Sequence, residues 1–357
     1  MAATIDDDGT VRVTGHAEVL RVVRDPQTFS SDVSRFLQVP NTLDGEEHAA
    51  FRAVLDPYFA PDRMATLAGP CRRIAARLVA ELPRGSAVDA VSGLGVRYAV
   101  EAMLAWLGWP AELEEDLVRW VADNAEATRS GELARTTEVA QRFDEIIGRV
   151  VEPRLADPAT QPRDVTDELL RDTVDGRHLS REEVVSVLRN WTGGDLGSLA
   201  LCVGVILHQL AADPAIEADA RARRGDPARL DAAIDELLRR DDPFLSNRRV
   251  ATADTVVGGC PVTAGSRLTV EWTDANRDPA VFPDPDRYAP EAHAHANLVY
   301  GAGPHVCPGR PLATLELRIL LEEVLDRTTD LALDPENRGE RAVRPLGGWA
   351  SAPVILT

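Results

Sequence analysis

The stretch Tyr300-Gly301-Ala302-Gly303-Pro304-His305-Val306-Cys307-Pro308-Gly309 decides how this chain is read. Three glycines, two prolines and a cysteine within ten residues do not describe a packed core position. They describe a backbone bent tightly enough for amide N–H groups to point at a sulfur atom. A thiolate that ligates a metal needs such donors to tune its electron donation and surroundings that keep water away. Directly after the loop, Pro311-Leu-Ala-Thr-Leu-Glu316 opens a helix whose N-terminal dipole favours an anionic sulfur.

The other cysteines, Cys71, Cys202 and Cys260, are scattered. No Cys-x-x-Cys pair exists, which argues against structural zinc and against an iron–sulfur cluster. A disulfide framework is not expected in a chain of 357 residues without an export signal, so these three are read as small buried hydrophobes.

Upstream, the texture from Glu47 to about Leu238 is helical, with apolar residues at three- and four-residue spacing. Breaks are expected at Pro61, Pro83–Gly85, Trp109-Pro110, Pro153 and the stretch from Asp157 to Pro162. Ser180-Arg-Glu-Glu183 is a capping box that opens a very long helix running to about Ala212. Thr10–Thr14, Arg249–Val257, Leu268–Trp272 and Val354–Leu356 read as strands, and Ala17–Val23 as a short helix. With no Gly/Ser-rich linker and no repeat, the expectation is a single mainly α domain over residues 1–357 with a small β portion.

The net charge of −19 repels nucleic acid and anionic membrane, and every one of the 39 basic residues is arginine. The longest apolar run, Leu199–Ala212, is broken by His208 and Gln209 and is short for a bilayer. The N-terminus lacks the basic-then-apolar order of a signal peptide. A cytoplasmic protein with no nucleic-acid or membrane partner is expected.

The cysteine loop resembles the haem-binding loop of the cytochromes P450, F-x-x-G-x-H-x-C-x-G followed by x-x-L-A. Matching positions are Gly303, His305, Cys307, Gly309, Leu312 and Ala313, with Tyr300 in place of the usual Phe. The resemblance implies haem b (iron protoporphyrin IX) with Cys307 as axial ligand. It also implies a helix-rich triangular prism, with the haem lying between the long central helix and the helix after the cysteine loop.

Three further segments follow the family's order. Glu236-Leu-Leu-Arg239 resembles its buried Glu–Arg pair, whose third member would be Arg287 within Ala275–Tyr288. His48-Ala-Ala-Phe-Arg52 places two basic side chains on one helix face, matching a grip on a haem propionate. Arg249, with Arg248 as the neighbouring alternative, matches a second propionate clamp, because a guanidinium fork pairs with a carboxylate through two bonds. His305 is a further candidate. The N-terminus looks as if it begins after the family's first helix. Only the short run from Asp32 to Glu47 stands where the family has more chain over the substrate, so an open distal site is expected.

The long helix carries Asn190-Trp-Thr-Gly-Gly-Asp-Leu-Gly-Ser198. Paired glycines cost about 1 kcal/mol each in mid-helix, so something is expected to press close there. The stretch is similar to the family's oxygen groove. Gly194 and Asp195 then line that groove, and Leu196 stands where the family has a proton-relaying threonine. Activating dioxygen consumes protons, and leucine cannot relay them. Ser198 lies some 200° around the helix from Leu196, at about 100° per residue, and makes a poor substitute unless the groove is distorted.

Ordinary monooxygenation using a substrate hydroxyl or a water held by Asp195 therefore stands beside oxidative radical coupling of aromatic or peptide substrates. Peroxide use is a third option, although the usual peroxide-using members carry an arginine near the acid and this chain has none. A P450-shaped binding protein without catalysis is the competing class. As an enzyme the chain needs a ferredoxin- or flavodoxin-type electron donor, because no G-x-G-x-x-G precedes a helix. That donor would dock near Arg310 and Arg318, with Arg72 and Arg73. The substrate is expected to be a small organic molecule, a peptide or a carrier-held group, under a lid between Leu117 and Arg154. Trp120 and Trp191 read as core side chains.

Overall fold

The computed structural model describes residues 2–357. Its helices are α1 (His16–Val23), α2 (Gly45–Leu55), α3 (Pro61–Glu81), α4 (Val96–Leu107), α5 (Glu114–Ser130), α6 (Leu133–Ala156) and α7 (Val165–Leu169). They continue with α8 (Arg181–Ala212), α9 (Pro214–Arg223), α10 (Pro227–Arg240), α11 (Trp272–Ala275), α12 (Pro290–His293) and α13 (Arg310–Arg327).

Helix α8 is the axle. Its N-terminus is closed by the expected capping box, with Ser180 Oγ accepting from the Glu183 N–H and the Glu183 carboxylate accepting from the Ser180 N–H. From Val184 to Leu210 it is apolar on almost every side, and such a helix is stable only when surrounded by protein. It has the length and composition of a membrane span, yet α4, α6, α10 and α13 and a π-type turn at Ala90–Gly95 pack around it. Close approach at that turn demands glycine: a Cβ on Gly95 would lie 2.9 Å from the Ala200 backbone.

Helix α13, which leaves the cysteine loop, lies along α3 and joins the same core. A second, smaller core sits beneath a five-stranded sheet in the order Ala3–Ile5, Val11–Val13, Arg267–Glu271, Ser246–Ala251, Phe29–Ser30. That sheet matters to the site because it fixes Arg249 opposite Leu268 and brings Ser30 beside Val250.

Two expectations from proline and strand patterning need correction. Pro153 does not break its helix but lies inside α6, one turn before the end, where few backbone bonds remain to be lost. The region read as overwhelmingly helical also holds the strand Ala87–Asp89 and a short hairpin, Thr173–Val174 with Arg177–His178. Strands this short have no periodicity to detect.

Candidate active site

The cysteine loop bends where its glycines allow. Gly301 and Gly303 adopt φ of 73° and 76°, and a Cβ on Gly303 would sit 2.4 Å from the Val23 carbonyl oxygen. Gly303 is therefore required twice, by conformation and by space. Gly309 differs: its φ is −78°, and a Cβ there would be 3.8 Å from both Cys307 Sγ and Phe59. The loop is closed by Cys307 N–H donating to Tyr300 O at 2.9 Å and Val306 N–H to Gly303 O at 3.1 Å.

Cys307 Sγ accepts backbone N–H bonds from Gly309 and Arg310 at the first turn of α13. Surrounding protein pushes the thiol up, against those two amides and the Arg52 charge, which favour the thiolate. A bound metal cation would complete that reversal, since a coordinating thiol is deprotonated outright.

Around the loop lies a cluster of basic groups with few acidic partners. The His48 and His305 rings stack at 4.0 Å, and His305 Nε2 is 3.0 Å from Ser31 Oγ and 3.5 Å from Asp44 Oδ1. Burial, His48 and Arg249 bring His305 down to about 4, and burial with the Arg52 charge also lowers His48. His48 Nε2 is buried without a hydrogen-bond partner among the described residues. Arg249 is only 6% exposed, yet among the described residues its guanidinium bonds only to the Arg248 carbonyl, while Arg248 itself is exposed. A buried guanidinium and two neutral imidazoles that share the nearby carboxylate of Asp44, itself bonded to Ser30 and Ser31, form a receptor for anionic groups. The two carboxylates of a haem fit it. Arg52 departs from its expected role, because it pairs with Asp56 and donates to the carbonyls of Pro304 and Val306. In this structure it grips the loop itself.

The opposite wall is α8. Gly194 is exposed, and a Cβ on either Gly194 or Gly197 would meet no atom within 4 Å. Ser198, one turn beyond Gly194, is partly exposed on the same face. Gly193 serves the lid instead: a Cβ there would touch Phe143 and Trp120, which stack at 3.8 Å and tie α5 to α6. Leu196 corrects the sequence register. It is 0% exposed, on the side of α8 turned away from Gly194 and Ser198. Because α8 runs unbroken through this stretch, the 200° between Leu196 and Ser198 puts only the serine on the open face.

Asp195 is half-buried, and its Oδ2 has no partner among the described residues. Glu316 on α13, which sequence reasoning missed, is fully buried, and neither carboxyl oxygen has a hydrogen-bond partner among the described residues. Its signal was available, since it falls between Leu312 and Ile319 on the apolar face of α13.

Arg239 and Glu236 are paired as expected, Nε to Oε2 at 2.7 Å and Nη2 to Oε1 at 2.9 Å, both fully buried. Arg287 is not the third member. It is exposed and forms no ion pair among the described residues, and the place beside Glu236 is taken by His293. The basic docking patch is also largely spent: Arg310 pairs with Asp235, Arg318 with Asp231, and Arg72 with Glu322 and Glu323. Of the four arginines only Arg73 has no ion pair among the described residues. Trp191 packs on Tyr58, Phe59 and Trp106, as a core side chain should.

Comparison with known proteins agrees with this geometry. The family described as Cytochrome P450 matches residues 228–341. Erythromycin C-12 hydroxylase from Saccharopolyspora erythraea is 30% identical over 93% of this chain and 85% of its own length. Cyclomarin C epoxidase from Salinispora arenicola is 28% identical over 87% of this chain and 82% of its own. The solved structure of the open cytochrome P450 EryK from S. erythraea superposes with a TM-score of 0.88 at 28% identity, covering 100% of this chain and 92% of that one.

Proposed function

Because the chain belongs to the cytochrome P450 family, and is thereby a haem-dependent oxidoreductase, we propose that it is a monooxygenase of large organic substrates. One atom of dioxygen enters the substrate, and electrons come from a separate ferredoxin- or flavodoxin-type donor. The whole chain acts as one catalytic domain. The observation that carries the reading is the pairing of Cys307 Sγ, held by two backbone amides, with a helix face cleared of side chains at Gly194 and Gly197.

The haem thiolate supplies the reductive activation of dioxygen. The chain's own residues do the rest. Cys307 would hold the iron, and the amides of Gly309 and Arg310 would keep its sulfur anionic without a full counter-charge. His48, His305 and Arg249 would hold the two carboxylates, taking up protons on the imidazoles as they do so. Gly194 and Gly197 leave room over the centre. The α5–α6 lid, stacked through Trp120 and Phe143, excludes water.

A large substrate is supported by the run from Ser31 to Asp44, which has no helix and exposes Phe36 and Leu37. That run is bonded to α8 through Ser186 and Asn190, above the turn that carries Gly194. The two relatives are named for acting on erythromycin and cyclomarin C, and Phe36 and Leu37 would offer an organic substrate an apolar edge here.

Reducing the protein under carbon monoxide tests the first half, by the red-shifted Soret band of a thiolate-ligated haem. Mass analysis of products tests the second: gain of one oxygen is expected, whereas loss of two hydrogens would replace insertion by coupling.

A further inference from the structure

Four aromatic rings meet beside the cysteine loop. Measured between ring centres, Trp191 of α8 lies 5.2 Å from Trp106 of α4 and 5.2 Å from Tyr58. Phe59 lies 5.1 Å from Trp106 and 5.5 Å from Trp191. At such separations neighbouring rings are in contact. The cluster reaches both walls of the candidate site. Trp191 precedes Gly194 by three residues, about 60° around α8. Phe59 stands 3.8 Å from the position a Cβ on Gly309 would take, as does Cys307 Sγ.

The far end of the cluster is built differently from its interior. Tyr58 is only 4% exposed, and its hydroxyl donates to Asp172 Oδ2 at 2.6 Å. Burial, with the Glu168 charge, pushes the Asp172 carboxyl up against that hydrogen bond, which makes its carboxylate a stronger base. The Arg63 guanidinium, paired with Glu168, lies 4.6 Å from the Tyr58 ring centre. A cation over the face opposes positive charge on the ring. An electron therefore leaves Tyr58 only together with the phenol proton, and Asp172 is placed to take that proton. The other tyrosines lack this combination. Tyr98 OH donates to the Glu316 backbone carbonyl, a weak base, and Tyr300 OH has no carboxylate partner among the described residues. Tyr288 OH does meet Asp219, at 2.8 Å, but its ring joins no aromatic chain among the described residues.

We propose that Trp191, Trp106 and Tyr58 form a relay that drains oxidising equivalents from the haem site when no substrate consumes them, with Asp172 taking the Tyr58 proton. The relay goes beyond the monooxygenase reading and rests on it for the haem. Hydrogen peroxide is the simplest oxidant, and its O–O bond breaks with two electrons and two protons to give two waters. Each electron leaves the tryptophan pair. Tyr58 replaces it as its O–H bond breaks and the proton passes to Asp172 Oδ2. A reductant of the ascorbate class then returns one electron to the Tyr58 oxygen, and the proton comes back from Asp172. Two passes convert one hydrogen peroxide and one ascorbic acid into two waters and dehydroascorbic acid, and the protein ends unchanged.

The test uses holoenzyme that shows the carbon monoxide Soret band of a thiolate-ligated haem. It is mixed with hydrogen peroxide without substrate or reductant and frozen for electron paramagnetic resonance. The wild type is expected to give a tyrosyl radical, and Tyr58→Phe to lose it. A wild type without that radical, or a radical undiminished in Tyr58→Phe, overturns the proposal. Trp191→Phe, which keeps the Tyr58–Asp172 pair, is expected to lose the tyrosyl signal as well, and a full signal there overturns the tryptophan path. Asp172→Asn is expected to replace the tyrosyl signal by a tryptophanyl one, a change that a merely structural aspartate would not cause. An unchanged tyrosyl signal in Asp172→Asn overturns the role of that carboxylate. Lack of the Soret band would overturn the haem and the relay together, whereas coupling products would overturn monooxygenation without moving the radical.

Discussion

His293 Nδ1 lies 2.8 Å from Glu236 Oε1 and completes a carboxylate that already accepts from both Arg239 donors and from the Ala289 N–H at 3.0 Å. Burial alone would push Glu236 up, but these hydrogen bonds hold it below the usual carboxylate range. Its contribution to stability is present above the ordinary pKa of a glutamate and is lost as the pH falls through the lower folded value. Glu236→Ala leaves Arg239 buried and unpaired and is expected to cost about 3–5 kcal/mol. His293→Ala is expected to cost about 1–3 kcal/mol, and Arg287→Ala no more than about 0.5 kcal/mol. Denaturant midpoints of the three variants give the ranking. A costly Arg287→Ala would put the third member back at that arginine.

His305 is held neutral by burial and its basic neighbours, at about 4 against an ordinary 6.5. In the haem-depleted protein the unfolded chain therefore binds more protons than the folded one in that window. Stability drains away as the pH falls from about 6.5 toward about 4. His305→Asn removes this contribution, so the difference between wild-type and variant stability curves is expected to slope across that interval and flatten above it. Urea midpoints at a series of pH values give the curve, and a flat difference would mean that His305 titrates normally.

The two glycines that bracket the sulfur are expected to behave differently. Gly303→Ala forces a Cβ against the Val23 carbonyl in a left-handed conformation and is expected to cost about 2 kcal/mol or more, with loss of the thiolate Soret signature. Gly309→Ala places its methyl at ordinary contact distance from Sγ and Phe59, so the protein should fold normally and keep the signature. Equal damage from both variants would show that Gly309 has a duty its backbone conformation does not reveal.

Leu196→Thr, which restores the family's residue by alignment, is expected to lose about 1–3 kcal/mol and to leave unchanged the partition of consumed dioxygen between water and hydrogen peroxide. The hydroxyl would enter the core, where it has nothing to relay to. An improved partition would show that α8 turns in the working enzyme.

The bend of the ligand loop, the Glu236–Arg239 pair and the bounds of α8 were legible because each rests on local chemistry. A glycine turn, an i, i+3 pair and a capping box all announce themselves within a few residues. The sequence could not show which partner arrives from a distance. His293 reaches Glu236 because α12 folds back on α10, whereas Arg287 stays exposed although the Pro285 carbonyl and the Ala289 N–H beside it bond to Arg239 and Glu236. The Leu196 reading failed for a related reason. Alignment by residue type assigned the groove, whereas the helical angle set by Gly194 and Gly197 decides which side chain faces it. Glu316 was overlooked because a glutamate in the first turns of a helix usually faces solvent.

Arg52 joins α2 to the cysteine loop. Its guanidinium spans the Pro304 and Val306 carbonyls on either side of His305, while its own helix carries His48. A lever results, with α2 as the arm and the cysteine loop as the load. A tilt of α2 would be passed through Arg52 to the Pro304 and Val306 peptide units beside Cys307. A helix without a candidate metal ligand would thus help to hold the loop that carries Cys307.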